Sequence, residues 1–255
     1  MRTLKIQVLV ATMNQTDHSL IEKMNIRTDA IVGNQCDCNS AETFERNNQT
    51  ITYYNFAERG VGLNRNNTLM RATADVCLFA DDDMVYEDNY AETVEKAFSE
   101  NPQADVLVFN LIEKVPTRKL ITKKTNVGYL NYLRYGTARV AVRLDSVKKY
   151  GIYFNQCFGG GTEHCHGEDN LFLNSCLKNG LKIVAIPKYI ATLTEERESS
   201  WNNGYGEKYL KDQGALYRAI SRRLWRLLCL QDALRRGRRD YHLSWYRAYQ
   251  IMIGS

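Results

Sequence analysis

Residues 76–83 read Val-Cys-Leu-Phe-Ala-Asp-Asp-Asp, an apolar run that stops abruptly at three carboxylates. No other stretch restricts the fold so tightly. A run this short, apolar on both faces, belongs to a buried strand of a parallel sheet. Burying three adjacent acids without partners would be very costly. They are therefore expected at the strand's open end, facing water, a cation or a ligand. Alternate residues of an extended backbone share a face, which predicts Asp81 and Asp83 side by side and Asp82 turned aside. Two hard oxygen donors on one face suit Mg²⁺ or Mn²⁺, ions that keep waters and take further ligands from phosphates. The reading is a metal–diphosphate site at a strand's C-terminal edge. Against it stands a solvated acidic turn, or an N-cap for a helix starting near Tyr86.

The flanking sequence supplies the rest of an α/β unit. Residues 5–12 are an apolar, β-branched strand ending at Thr12-Met13-Asn14, and Thr16 or Asp17 is placed to cap a helix running to about Asn25. Asp29–Gly33 is a second strand closing in Asn34-Gln35. A polar loop separates it from a third, Ile51–Tyr54. Gly60-Val61-Gly62 opens a helix to about Ala74, directly before the acidic strand. Strand–helix alternation with polar strand ends predicts a doubly wound α/β sheet. Ligands of such sheets bind beyond the carboxyl ends of the strands. Thr12, Asn14, Asn34, Gln35 and Asp81–Asp83 all fall there.

Further on, Asp88–Glu100 has an apolar face at helical spacing, and Asp105–Ile112 and Arg139–Val142 read as strands. Residues 114–135, basic and tyrosine-rich, give no clear pattern. A glycine-rich loop, Gly159-Gly160-Gly161, leads to Glu168-Asp169 at the start of a helix over 169–179. Those acids read either as helix-dipole partners or as a general base on a rigid element. Leu181–Ile186 is a strand stopped by Pro187, and one long helix runs from about Glu207 to Leu234.

Two constellations have competing readings. Cys36-x-Cys38 with His164, Cys165 and His166 suggests zinc, but the spacing is not that of a zinc finger or ribbon, which leaves buried small thiols. In the C-terminal helix Leu216, Ile220, Leu224, Leu227, Leu228 and Leu234 form a stripe with arginines opposite, followed by an aromatic tail around Trp245. That pattern fits an anionic membrane surface or a helix packed on the catalytic domain with a solvated basic face. Eight arginines and one acid lie between Arg218 and Arg239, so the basic character belongs to this segment and the rest of a chain of net charge +5 is slightly acidic. No recognition motif accompanies them, and nucleic acid is not expected as a partner. Seven scattered cysteines, a first strand following directly on Met1-Arg2-Thr3, and the absence of 18 consecutive apolar residues predict a cytoplasmic protein with reduced thiols; on the membrane reading, the basic C-terminal helix would hold it peripherally at the inner face of the cell membrane.

Taken together, these residues resemble bacterial family-2 glycosyltransferases of the GT-A fold. Ala11-Thr12-Met13-Asn14 is similar to the family's Pro-Thr-Tyr-Asn, and Gly62-Leu63-Asn64-Arg65-Asn66 to its Gly-Leu-Ser-x-Arg-Asn. Phe79–Asp83 resembles its Asp-x-Asp signature, with the family's spacing from Arg65 to Asp81. Gly167–Phe172 resembles its Glu-Asp motif, followed by Lys178–Pro187. The likeness covers about residues 5–195. It departs at Asn34-Gln35, where the family often has two acids that hold the nucleobase.

The resemblance implies a GT-A fold, a mostly parallel sheet flanked by helices, over residues 1–205. Its donor half is about 1–112 and its acceptor half about 113–205, with a basic amphipathic extension over 206–255. It implies a nucleotide-diphosphate sugar donor, a UDP-sugar first among them, and inversion at the anomeric carbon. The acceptor is a hydroxyl of an envelope polysaccharide or lipid-linked glycan. Asp83 and Asp81 are expected to hold Mn²⁺ or Mg²⁺, with Asp81 and Asp82 alternatively on the donor's ribose. Thr12, Asn14, Asn34 and Arg65 are the donor-site residues, Asp169 the base, and Glu168 its substitute. Two rival readings are a non-catalytic nucleotide-sugar-binding protein and a sugar-1-phosphate nucleotidyltransferase. The second would show a glycine-rich loop with a lysine, absent between Ala11 and Lys23.

Overall fold

The computed structural model describes residues 3–114, 119–194 and 205–254. The first strand, β1 (Ile6–Met13), is buried except at its last residue and pairs in parallel with β2 (Asp29–Gln35). Between them lies α1, only Leu20–Lys23; its N-cap is Ser19, whose N–H donates to Asp17. The helix predicted from Thr16 or Asp17 to Asn25 is thus a single turn. A strand not foreseen, β3 (Ser40–Arg46), lies within the expected loop and pairs antiparallel with β4 (Gln49–Phe56). It is mostly exposed and charged, as suits an edge strand that resists pairing with another chain, and its side chains carry no apolar alternation. Helix α2 (Val61–Arg71) leads to β5 (Val76–Asp81), which lies against β1 on the side away from β2.

After β6 (Met84–Tyr86) and α3 (Tyr90–Glu100), β7 (Val106–Ile112) enters the other half of the sheet. There follow β8 (Thr125–Val127), two short 3₁₀ turns at Tyr132–Arg134 and Thr137–Arg139, β9 (Val140–Arg143), α4 (Leu144–Lys149) and α5 (Glu168–Lys178). Strand β10 (Ile183–Leu193) pairs in parallel with β7. Pro187 does not stop this strand. Register shifts on both sides of Tyr189 leave Pro187–Tyr189 exposed, and a proline without an N–H is tolerated at such a bulge. The sheet order is β3-β4-β2-β1-β5-β9-β7-β10-β6, with β8 on β10. The strands that carry the site, β4, β2, β1 and β5, are parallel to one another. Antiparallel β9 joins them to β7. The result is a mixed α/β sheet with helices on its faces.

The predicted long C-terminal helix is instead α6 (Glu207–Ile220) and α7 (Trp225–Arg236), followed by α8 (Trp245–Ile253). The break has a local cause: Ser221 leaves helical geometry and its hydroxyl accepts the N–H of Leu224, as a capping serine does. Leu210, Leu216, Cys229, Ala233, Ala248 and Met252 form a further core cluster, which also takes in Phe158 from the loop before α5 and Leu171 from α5 itself. Among the described residues, no helix is long and apolar enough to cross a membrane.

Candidate functional site

Arg65 is the centre of the polar edge. It lies in the second turn of α2 with almost no exposed surface. Its guanidinium donates to Asp81 Oδ1 at 2.6 Å, to Glu168 Oε1 at 3.0 Å and to Asp169 Oδ1 at 3.0 Å. One cation therefore gathers carboxylates from the end of β5 and the start of α5. An aromatic floor fixes it: Phe154 lies 5.5 Å from the guanidinium carbon and stacks on Phe172 at 4.3 Å, and both meet Phe79 edge-on. Burial works against the charge of Arg65, but Asp81, Asp169 and Glu168 outweigh it and hold the group above its ordinary range. Arg65 thus lies inside the acid cluster rather than extending from α2 toward an open phosphate site.

The two acids of α5 differ in environment. Glu168 is buried, and its carboxyl occupies space that a side chain at residue 159 would need. A Cβ on Gly159 would come within 2.7 Å of it, and the backbone there has φ +97°. Burial pushes Glu168 up to about 7, the Asp169 charge adds to the rise, and Arg65 opposes it. The Asp169 side chain is 28% exposed. Its Oδ1 also accepts the hydroxyl of Thr137 at 2.5 Å. Thr137 comes from a 3₁₀ turn and is fully buried. Sequence reasoning missed it because it acts across 32 residues and follows a stretch without periodicity.

The acidic triplet is arranged differently from the alternation argument. Extended backbone ends at Asp81; Asp82 and Asp83 form a turn before β6, so the i, i+2 rule does not govern them. Asp82 Oδ2 accepts the hydroxyl of Thr12 at 2.5 Å. The carbonyl of Asp83 accepts both the N–H and the hydroxyl of Thr194. All three acids remain partly exposed, and none caps α3, whose N-cap is Asn89. Thr12 and Asn14 reach the same edge; Asn14 adopts φ 55° and donates its N–H to Gln35. Asn34 is committed otherwise. Its amide nitrogen donates to Gln15 O and Asn55 Oδ1, and its oxygen accepts from Gln15 N. These bonds tie the loop after β1 to the end of β4. Gln35 Oε1 accepts the N–H of Gly60 and fixes the start of α2.

The glycine-rich loop reaches this edge as well, since the N–H of Val61 donates to Gly160 O. Its far side is clasped by α6. Asp212 accepts the backbone N–H of Cys165 at 3.0 Å and Lys208 Nζ at 2.9 Å, and lies 3.1 Å from His164 Nδ1. Burial alone would raise the Asp212 pKa; these hydrogen bonds hold it far below the carboxylate range. His166 Nε2 pairs with Gln213 at 2.9 Å, and burial lowers its pKa. Ligand atoms of Cys165, His166 and Asp212 lie within 4.8 Å of one another, and each also has a protein partner. The signal for this clasp was present in the sequence: Asp212 and Gln213 are polar residues on the buried side of an amphipathic helix. Cys36 and Cys38 face each other instead, 3.6 Å apart at the surface. The buried-thiol reading of this constellation fails, since Cys38 is exposed and Cys36 and Cys165 are only half-buried.

Residues 18–159 match the family described as Glycosyl transferase family 2. A search of curated proteins found no match. Crystal structures of Staphylococcus aureus TarS share the fold. Residues 1–349 of TarS in complex with UDP-GlcNAc are 19% identical with a TM-score of 0.61, covering 85% of this chain and 66% of that one. The same protein with UDP gives 19%, 0.59, 85% and 65%. A further TarS structure gives 17%, 0.63, 98% and 54%. This chain thus spans just under two thirds of the first two and about half of the third. The family match covers more than half of the residues and includes β5, the acidic edge and α2, so the chain belongs to glycosyl transferase family 2.

Proposed function

We propose that this protein transfers a sugar from a nucleotide-diphosphate donor to a hydroxyl acceptor, with inversion, using the edge around Arg65. One observation carries the reading: three carboxylates from two separate elements converge on one buried cation where a parallel sheet opens. The TarS structures, solved with UDP-GlcNAc and with UDP, support a UDP-sugar as donor. Residues 1–205 would be the transferase domain and 206–255 its extension.

The donor set fits a hard divalent cation. It consists of carboxylate oxygens, partly exposed, at a strand end beside an arginine that balances their charge. Asp83 and Asp81 would hold Mn²⁺ or Mg²⁺, which when bound offsets charge developing on the diphosphate. Thr12 orients Asp82 toward the donor's ribose, and Asn14 lines the same edge. Arg65 acts from behind, holding the Asp81 carboxylate in place through its 2.6 Å hydrogen bond. Asp169, more exposed than Glu168, is the base that takes the acceptor's proton as the hydroxyl attacks. Glu168 stands behind it as the substitute base. The acceptor is an envelope polysaccharide or lipid-linked glycan, met at the cytoplasmic face of a membrane.

A thermal-shift panel of UDP, GDP, CDP and dTDP, with and without Mn²⁺, tests the donor site. Stabilisation by one diphosphate that needs metal and is lost in Asp83→Ala is the expected result. A diphosphate shift that does not depend on metal favours the binding-protein alternative, and no shift with any of them overturns the donor site. Asp169→Asn should lose roughly 10²–10⁴ in transfer rate with donor binding kept. Loss of donor affinity in that variant would remove Asp169 from the role of base.

A further inference from the structure

The C-terminal leucine stripe is divided by the fold. Leu216 and Ile220 turn inward, whereas Leu224, Leu227 and Leu234 are 55%, 60% and 60% exposed. With Gln231 they follow one line along the outer face of α7, at steps of three, four and three residues. The inner face of α7 is already covered, since Cys229 and Ala233 belong to the core shared with α6 and α8. The outer leucines therefore have no part in holding the helices together.

The charges around this line have one sign. Arg223, Arg226, Arg235 and Arg238 are exposed beside it. The one acid of α7, Asp232, is buried and accepts the hydroxyl of Tyr241 at 2.7 Å. Asp240 is engaged by Arg236 and Arg239. Just past the C-terminal end of α7, a Cβ on Gly237 would come within 3.2 Å of the Cα of Trp245. Exposed Trp245 and Tyr246 thus start α8 beside the end of the stripe. An apolar line with a cationic margin and interfacial aromatics complements an anionic bilayer surface: the leucines enter the acyl boundary and the guanidiniums stay at the headgroups.

We infer that the outer face of α7, with Leu224, Leu227 and Leu234 as its apolar contacts and Arg223, Arg226, Arg235 and Arg238 as its charged margin, docks this protein on an anionic lipid surface. This deepens the reading that the acceptor is met at a membrane and uses none of the residues assigned to transfer. The 255-residue protein is mixed with vesicles of phosphatidylcholine alone or with phosphatidylglycerol, and bound protein is measured by co-sedimentation. Binding is expected only with phosphatidylglycerol and should weaken with salt. Combined Leu224→Gln, Leu227→Gln and Leu234→Gln should weaken it roughly tenfold or more. Combined Arg223→Gln, Arg226→Gln and Arg235→Gln should weaken it and reduce its salt dependence. All these side chains are exposed, so circular dichroism and the metal-linked diphosphate shift should be unchanged. Wild-type protein that shows the diphosphate shift yet ignores phosphatidylglycerol overturns the inference and leaves the transferase reading standing. Self-association that disappears with the leucine substitutions, without vesicle binding, assigns the face to a second copy and overturns it too. Vesicle binding without any diphosphate shift supports the face and removes the transferase reading instead.

Discussion

Thr137 shows how a residue without chemistry of its own can govern a site. Its hydroxyl and the Arg65 guanidinium both donate to the same oxygen of Asp169, which fixes the orientation of the carboxylate. Thr137→Val keeps the shape and removes the donor. Transfer should fall about tenfold, the worth of one hydrogen bond of this kind, with the diphosphate shift unchanged and Thr137→Ser restoring the rate. Glu168 makes a prediction about stability. Its folded pKa lies near 7, above the 4.5 of an ordinary glutamate. The folded state therefore holds a proton there that the unfolded state has lost. This contribution is full below about pH 4.5 and disappears as pH rises through 7. Melting temperature should fall between pH 5 and 8, a change on the order of 3 kcal/mol. Glu168→Gln should flatten that slope, as read by calorimetry across the window. An unchanged slope would place the titration elsewhere.

At the scale of elements, α2 depends on a close approach that only glycine permits. A Cβ on Gly62 would come within 2.6 Å of the backbone oxygen of Asn155. Alanine favours a helix by about 1 kcal/mol over glycine, but here the clash outweighs that gain. Gly62→Ala should lower stability by roughly 1–3 kcal/mol in a denaturant titration. Glycine at this position thus answers to packing. The central strands β1, β2 and β5 were legible because burial on both faces leaves an unbroken apolar run. Strand β3 was not, since an exposed edge selects charge over alternation. The end of β10 was misplaced because a bulge let Pro187 stay in the strand. The turn that splits α6 from α7 could have been read from Ser221, but the leucine periodicity on both sides masked it.

On the scale of the whole molecule, the C-terminal helices close the core around the glycine-rich loop. Phe158 and Leu171 share an apolar cluster with Leu210, Leu216 and Tyr217. Asp212 and Gln213 hold the segment from His164 to His166. Of the two readings of this segment, packing on the domain is therefore realised through α6, while the outer face of α7 stays exposed. Removing residues 216–255 would therefore strip part of the domain's own core. The truncated protein should lose several kcal/mol of burial and aggregate on expression, visible as loss of a sharp thermal transition. A soluble truncation with an unchanged transition would show that the helices are an independent unit.

The sequence by itself determined the parallel strands, their polar C-terminal edge, and the residue types that gather there. These follow from local rules: apolar runs bury, and unpaired acids avoid burial. Only the tertiary structure decided which acid pairs with which donor. It turned Arg65 inward onto Asp81, Glu168 and Asp169, spent Asn34 on its neighbours, and brought Thr137 to Asp169. It also decided which leucines of one periodic stripe lie inside and which outside. Side-chain pairing across dozens of residues depends on packing angles and on which neighbour reaches a group first, and neither is encoded in the periodicity of a single segment.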